Sequence, residues 1–168
     1  MMFVTVGTQL PFDRLVRGVD QWAAAHPDME MRAQIGAIGP HGYRPKHMES
    51  TETMPPLEYD ALCRDARLIV AHAGTGSFIK ALEVGTPILA MPRKSALNEH
   101  RNDHQLATAA YFDGRGGISI VREEDEIGPA IDRLLTQVDV AGTLQPFADE
   151  TLLNAIRDVV FPSGGLKS

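Results

Sequence analysis

The run Ile69-Val70-Ala71-His72-Ala73-Gly74-Thr75-Gly76-Ser77 carries the strongest chemical signal in the chain. Apolar, strand-like residues feed a turn of small residues that opens a helix. The first N–H groups of a helix have no partner within it and lie at the positive end of its dipole, so such a turn suits a phosphate. Gly74 and Gly76 let a ligand approach the backbone, Thr75 and Ser77 add hydroxyls, and His72 stands at the lip. The spacing is not a P-loop, since no Lys-Ser/Thr pair follows. Nor is it the dinucleotide fingerprint, since the third glycine is absent. A plain strand-to-helix turn with an N-cap is the competing reading. Gly7-Thr8-Gln9, at the end of Phe3-Val4-Thr5-Val6, is a second turn of this kind.

The third polar segment runs from Pro92 to Gln105 and is too polar to be packing. His100 and His104 lie four apart, so on a helix they share a face, with Glu99 and Asp103 beside them. That makes a metal site conceivable. The glutamate that follows the first histidine of a zinc-protease helix is missing, however, and no cysteine is near. The alternatives are a solvated helix face or hydrogen bonding to a polar ligand such as a sugar. Arg93, Lys94 and Arg101 concentrate positive charge here in an otherwise acidic chain, which suits an anionic ligand. Elsewhere Cys63 reads as a buried thiol, and Met48 and Met54 read as packing. Glu123-Glu124-Asp125-Glu126 reads as the first turn of a helix. No Gly-x-Ser-x-Gly elbow supports a hydrolase triad.

These segments need elements to position them. Residues 3–6 read as a buried strand. Residues 13–25 read as a helix with Leu15, Val16, Val19 and Trp22 on one face, ending before His26-Pro27. Strands are expected at 29–35 and 47–51, separated by a loop at 36–45 that holds three glycines and two prolines. A helix at 57–65 follows Pro55-Pro56. Next come a strand at 67–71, a helix at 77–84 closed by Gly85, and a strand at 87–91. A helix at 98–111, a strand at 117–121, a helix at 123–135 and a terminal helix at 147–160 complete the pattern. This alternation predicts one α/β, Rossmann-like domain over residues 1–161, with a polar tail at 162–168. Six parallel strands in order 3-2-1-4-5-6 would carry helices on both faces. Ligands bind at the carboxyl ends of such strands, which puts the loops after Val6, Ala71 and Met91 first for function.

Composition narrows the classes further. The 168 residues hold 16 Lys plus Arg against 22 Asp plus Glu, a net charge of −6 that argues against nucleic acid as partner. Hydrophobic residues at 43% and charged residues at 23% are globular values and exclude wholesale disorder. A single cysteine excludes an intramolecular disulfide framework and fits a reducing cytoplasm. The apolar runs are too short to span a bilayer, and the start of the chain does not read as a signal peptide.

Taken in order, Val4-Thr5-Val6-Gly7-Thr8, His72-Ala73-Gly74-Thr75-Gly76-Ser77 and Asp103-His104-Gln105 resemble the C-terminal, donor-binding half of glycosyltransferase family 28. The likeness spans residues 2–137. It is to the short stand-alone form, represented by the catalytic subunit of the dolichol-pathway N-acetylglucosaminyltransferase. Pro92-Arg93 followed by Asn98-Glu99-His100 most resembles the PssE branch of bacterial exopolysaccharide synthesis. The resemblance implies half of a GT-B fold that binds a UDP-sugar. Gly7, Thr8 and residues 74–77 would hold the diphosphate, with His72 close by. Gln105 and His104 would touch the sugar, and the backbone around Met54 would meet uracil.

The resemblance further implies inverting transfer without a metal or other cofactor. A membrane-anchored, PssD-like chain would supply the acceptor half and a polyprenyl-linked acceptor, drawing this chain to the cytoplasmic face of the membrane. The general base is then expected in that partner, with His72 the candidate on this chain. Arg93, Lys94 and Arg101 suggest a uronic acid donor such as glucuronate, against glucose or N-acetylglucosamine. Two positions depart from the family. Many members have a ribose-binding glutamate where this chain has Lys80, with Glu83 three residues on, so either ribose is held otherwise or nucleotide specificity differs. Ala109 replaces the asparagine of MurG-like members. The competing functions are a non-catalytic nucleotide-sugar-binding regulatory module, a metal-dependent enzyme built on His100, Asp103 and His104, and a structural homo-oligomer.

Overall fold

Short apolar runs alternate with amphipathic stretches along the chain, and in the computed structural model each run becomes one strand of a single sheet. The structure describes residues 1–8 and 10–141, so Gln9, the expected helix at 147–160 and the tail at 162–168 lie outside it. Strand β1 (Met2–Thr5) leads into helix α1 (Asp13–Ala25), then β2 (Met31–Gln34), β3 (Glu49–Thr51) and α2 (Pro56–Asp65). There follow β4 (Leu68–His72), α3 (Thr75–Val84), β5 (Ile88–Met91), α4 (His104–Phe112), β6 (Ile118–Ile120) and α5 (Ile127–Ala141). All neighbouring strands pair in parallel in the order β3-β2-β1-β4-β5-β6, the expected topology. Strand order reverses between β1 and β4. Thr5 is paired with Gln34 on one side and Ala71 on the other, which levels three residues at the carboxyl edge of the switch point.

The sheet is buried on both faces, and the two-residue repeat of a strand decides which side each residue serves. Met2, Val4, Leu68, Val70, Leu89 and Met91 pack with Leu15, Val19, Trp22, Ile127 and Ile131 of α1 and α5. Phe3, Ile69, Ala71, Ile88 and Ala90 pack on the other side with Cys63, Phe78, Leu82, Ala109 and Phe112 of α2, α3 and α4. Burial raises the pKa of the Cys63 thiol to about 11, so it is a packing residue with no thiolate to offer.

Local chemistry sets the helix limits. Pro56 occupies the first turn of α2, where its missing N–H costs nothing. Gly85 closes α3 in the left-handed conformation at φ 73°, donating to the carbonyls of Ala81 and Leu82. The backbone N–H groups of Arg122 and Glu123 donate to Glu126 in a capping box that leads into α5.

One expected element is corrected. Residues 98–111 are not one helix: a single 3-10 turn covers Ser95–Leu97, Asn98 takes φ 57°, and α4 begins only at His104. Glu99 is the physical reason, because Arg14 donates to both of its carboxylate oxygens at 2.8 and 2.9 Å. The N–H of Lys94 donates to the same carboxylate, and that of Ser95 to Asp103, both at 2.8 Å. Side chain-to-backbone bonds of this kind compete with a helical ladder and here displace it. Among the described residues, no helix is long and apolar enough to cross a membrane.

Candidate functional site

The loops leaving the carboxyl ends of β1, β4 and β5 enclose a cavity of about 660 Å³. Gly7 and Thr8 reach it from β1, His72 from the end of β4, and Gly74, Thr75, Gly76 and Ser77 from the start of α3. Arg93 follows β5, His104 and Gln105 open α4, and Met54 precedes α2. These eleven residues therefore converge on one cavity, whereas Lys94 and Arg101, read from sequence with Arg93 as a cluster for an acidic donor, do not line it. His100, weighed from sequence as a metal ligand, lines it too, as does Lys80. Sequence reasoning missed Val6, Leu10, Gln34, Pro56 and Tyr59. Gln34 had a legible signal, being a polar residue at the carboxyl end of a buried strand. Tyr59 lay three residues after Pro56 on one helix face.

No side chain caps α3. Its N-cap carbonyl, Gly74 O, accepts from the N–H groups of Ser77 at 3.0 Å and Phe78 at 3.2 Å. Those of Thr75 and Gly76 have no acceptor among the described residues. Two backbone donors at a positive dipole end thus face the cavity, which is what a diphosphate requires. A Cβ on Gly76 would meet nothing within 4 Å, so this position leaves room for a ligand.

Gly7 and Gly74 have a different task, because both press on the His72 ring. A Cβ on Gly7 would stand 2.8 Å from Cε1 of His72, and one on Gly74 would stand 2.3 Å from Nε2. Gly7 also has φ 77°, a conformation that disfavours any side chain. The imidazole is thereby clamped, and its Nδ1 is buried without a hydrogen-bond partner. Burial, reinforced by the nearby Arg93 charge and only partly offset by the backbone of Thr5, pushes the His72 pKa down to about 4. Such a ring is neutral at physiological pH and a weak proton acceptor, which counts against it as general base.

Arg93 requires a correction. It is 2% exposed, and its terminal N–H groups donate to the carbonyls of Val6, Leu10, Pro11 and Glu99. Its guanidinium also lies over the Phe12 ring, 4.6 Å from the centroid. With both terminal nitrogens engaged on backbone, Arg93 shapes the β1 loop and has no fork left for a donor carboxylate. Lys94 is likewise engaged, with Nζ 2.5 Å from Glu123. Gln105 accepts the N–H of Arg93 through Oε1 at 3.1 Å, and Gln34 accepts the Thr5 hydroxyl at 3.2 Å. In each amide the nitrogen is left as the donor for the cavity.

His100 and His104 meet edge to face at 4.9 Å although only His104 is helical. Asp103 turns away from them to the Ser95 N–H. Among the described residues, no three His, Cys, Asp or Glu side chains are grouped to hold a metal.

A parallel sheet with helices on both faces and an anion-receptive turn at its switch point is the architecture of one half of a GT-B glycosyltransferase. The chain belongs to the glycosyltransferase family 28 C-terminal domain family, whose model matches residues 1–139. It is similar to the UDP-N-acetylglucosamine transferase subunit ALG13 of Yarrowia lipolytica, at 27% identity over 142 residues that cover 76% of this chain and 68% of that protein. Among solved structures it resembles the kitacinnamycin glycosyltransferase, with a TM-score of 0.63 and 22% identity over 98% of this chain. The chain spans only 40% of that enzyme. The solution structure of ALG13 matches with a TM-score of 0.60 and 16% identity, over 96% of this chain and 95% of that one. At these identities the solved structures establish the fold.

Proposed function

We propose that this chain is the donor-binding subunit of a two-component inverting glycosyltransferase that uses a UDP-sugar without a metal. The observation that carries the reading is the uncapped start of α3, whose Thr75 and Gly76 N–H groups face a cavity lined by every motif shared with the family. In the reaction an acceptor hydroxyl attacks the anomeric carbon, a new glycosidic C–O bond forms, and the bond from that carbon to the diphosphate oxygen breaks. UDP leaves with the bonding electrons, and the hydroxyl proton passes to a base. Backbone donors and the α3 dipole stabilise the charge growing on the diphosphate. The neutral His72 ring, held against the turn, is placed to hydrogen-bond the same group.

The base and the acceptor site are assigned to a second, membrane-anchored chain of PssD-like type. That chain brings a lipid-linked acceptor and holds this one at the cytoplasmic face of the membrane. The subunit name borne by the Yarrowia relative supports such a division of labour. With the Arg93 fork engaged on backbone carbonyls, a glucose- or N-acetylglucosamine-type donor is favoured over a uronic acid.

Calorimetric titration of the chain with UDP, with and without EDTA, tests the reading. Saturable, EDTA-insensitive binding is expected. Gly76→Asp should abolish it without unfolding the protein, since this position has open space for the side chain and the new carboxylate would repel the diphosphate. Absence of binding at millimolar UDP, or full binding by Gly76→Asp, would refute it.

A further inference from the structure

Among the described residues, no Asp or Glu lines the cavity. Sites that select ribonucleotides commonly present a carboxylate to the ribose hydroxyls, because only an acceptor can pair with their protons. The side chain found along α3 is the opposite. Lys80 lies four residues beyond Gly76 on the same helix face, and both line the cavity. The spacing sets Lys80 about 6 Å along the helix axis from the phosphate-facing turn, a nucleoside sugar's distance away. Its ammonium is held 2.9 Å from Asp60 on α2 and 3.5 Å from Glu83. Asp60 and Glu83, neither of which lines the cavity, are thus paired with the lysine. The Asp60 hydrogen bond also raises the Lys80 pKa, so the residue stays charged throughout the physiological range. An ammonium has three N–H donors and no acceptor, so one donor is left for the cavity.

We propose that Lys80 is a specificity-determining residue for the nucleoside half of the ligand, and that the cavity accepts ribo- and 2′-deoxyribonucleoside diphosphates alike. The inference rests on the donor-site reading above and deepens it. Lys80 donates to the phosphate adjoining the nucleoside and offers no acceptor to the proton of the 2′-hydroxyl. A site built to pair a hydroxyl rejects the analogue lacking it, because a buried partner is left unsatisfied. Without a carboxylate, removal of the hydroxyl leaves no charged acceptor unpaired and discrimination is weak.

The test is calorimetric titration with UDP and 2′-deoxy-UDP of the wild-type chain, Lys80→Met and Lys80→Glu, each checked for folding by thermal melting. Wild type should bind the two nucleotides within about threefold of each other. Lys80→Met should weaken both by a similar factor, on the order of three- to tenfold. Lys80→Glu should open a preference for UDP of roughly tenfold or more, and a ratio of affinities cancels any uniform effect of the added negative charge. A wild-type preference for UDP above about tenfold, undiminished affinity in Lys80→Met, or an unchanged ratio in Lys80→Glu would each overturn the inference and leave the donor site standing. If neither nucleotide binds, the donor-site reading falls and this inference falls with it.

Discussion

Burial, reinforced by the Arg93 charge, keeps the imidazole of His72 uncharged well below neutral pH, and Gly7 and Gly74 leave the space that the ring occupies. Unfolding frees the ring to an ordinary pKa near 6.5, whereas the folded value is about 4. Between these values the unfolded chain binds more protons, so stability rises with pH across the window. The contribution is complete above pH 6.5 and is lost as pH falls towards 4. The loss by pH 5 is about 2 kcal/mol. Urea unfolding at pH 7 and pH 5 should therefore show a loss in wild type that shrinks by about this amount in His72→Gln. An identical pH dependence in the two proteins would show that His72 is not the group concerned. Arg93 illustrates how position overrides residue type. From sequence it is a cation beside a ligand loop, yet burial and four carbonyl partners make it the brace of the β1 turn. Gly7 and Thr8 depend on that brace for their place in the cavity.

At the scale of the element, the start of α3 assigns separate duties to its two glycines. Gly74 must lack a side chain because His72 occupies that space, whereas Gly76 faces open space. Gly74→Ala is expected to lower stability by about 1–3 kcal/mol through forced displacement of the ring. Gly76→Ala should leave stability unchanged or raise it by up to about 1 kcal/mol, since alanine favours a helix. Chemical denaturation of the two variants side by side distinguishes these outcomes, and equal costs would refute the assignment. The segment between β5 and α4 shows the converse, a potential helix held open. Glu99 fastens it to Arg14 of α1, and Asp103 fastens it to the Ser95 backbone. This open form lets His100 reach the cavity from outside the helix that carries His104.

Across the whole molecule, both faces of the sheet are covered, and the cavity that holds the family motifs lies at the carboxyl end of the strands, where the strand order reverses. The rigid parallel core fixes the ends of β1, β4 and β5 relative to one another, so loops distant in sequence present one ligand surface. On the proposed reading this surface binds the donor and lacks the acceptor side. The chain alone should bind UDP yet transfer no sugar, and turnover from a radiolabelled UDP-sugar to a lipid acceptor should begin only when the membrane-anchored chain is added. Transfer by this chain alone would overturn the two-component scheme. Binding without turnover in the presence of candidate partners would favour the regulatory-module alternative.

The order of strands and helices was legible because it depends on local signals: short apolar runs, helical spacing and glycine or proline stops. Right-handed crossover of parallel strands then left few topologies, and the loops after β1, β4 and β5 followed from the rule that ligands sit at carboxyl strand ends, whereas Met54, His104 and Gln105 were implied by the family resemblance. Glycine-turn chemistry at residues 74–77 was likewise visible, since it arises within one strand-turn-helix unit. The tertiary structure alone decided what each charged or polar side chain there could still offer. Arg93 lost its ligand-facing fork to carbonyls of which three are more than 80 residues away in the chain, His72 lost basicity to burial, and residues 98–103 lost their helix to Arg14. Lys80 was a departure from a pattern in sequence, and became a donor restrained by two carboxylates only when α2 brought Asp60 to it. Propensity and periodicity act between near neighbours, whereas hydrogen-bond capacity and protonation depend on whichever groups the fold brings into contact.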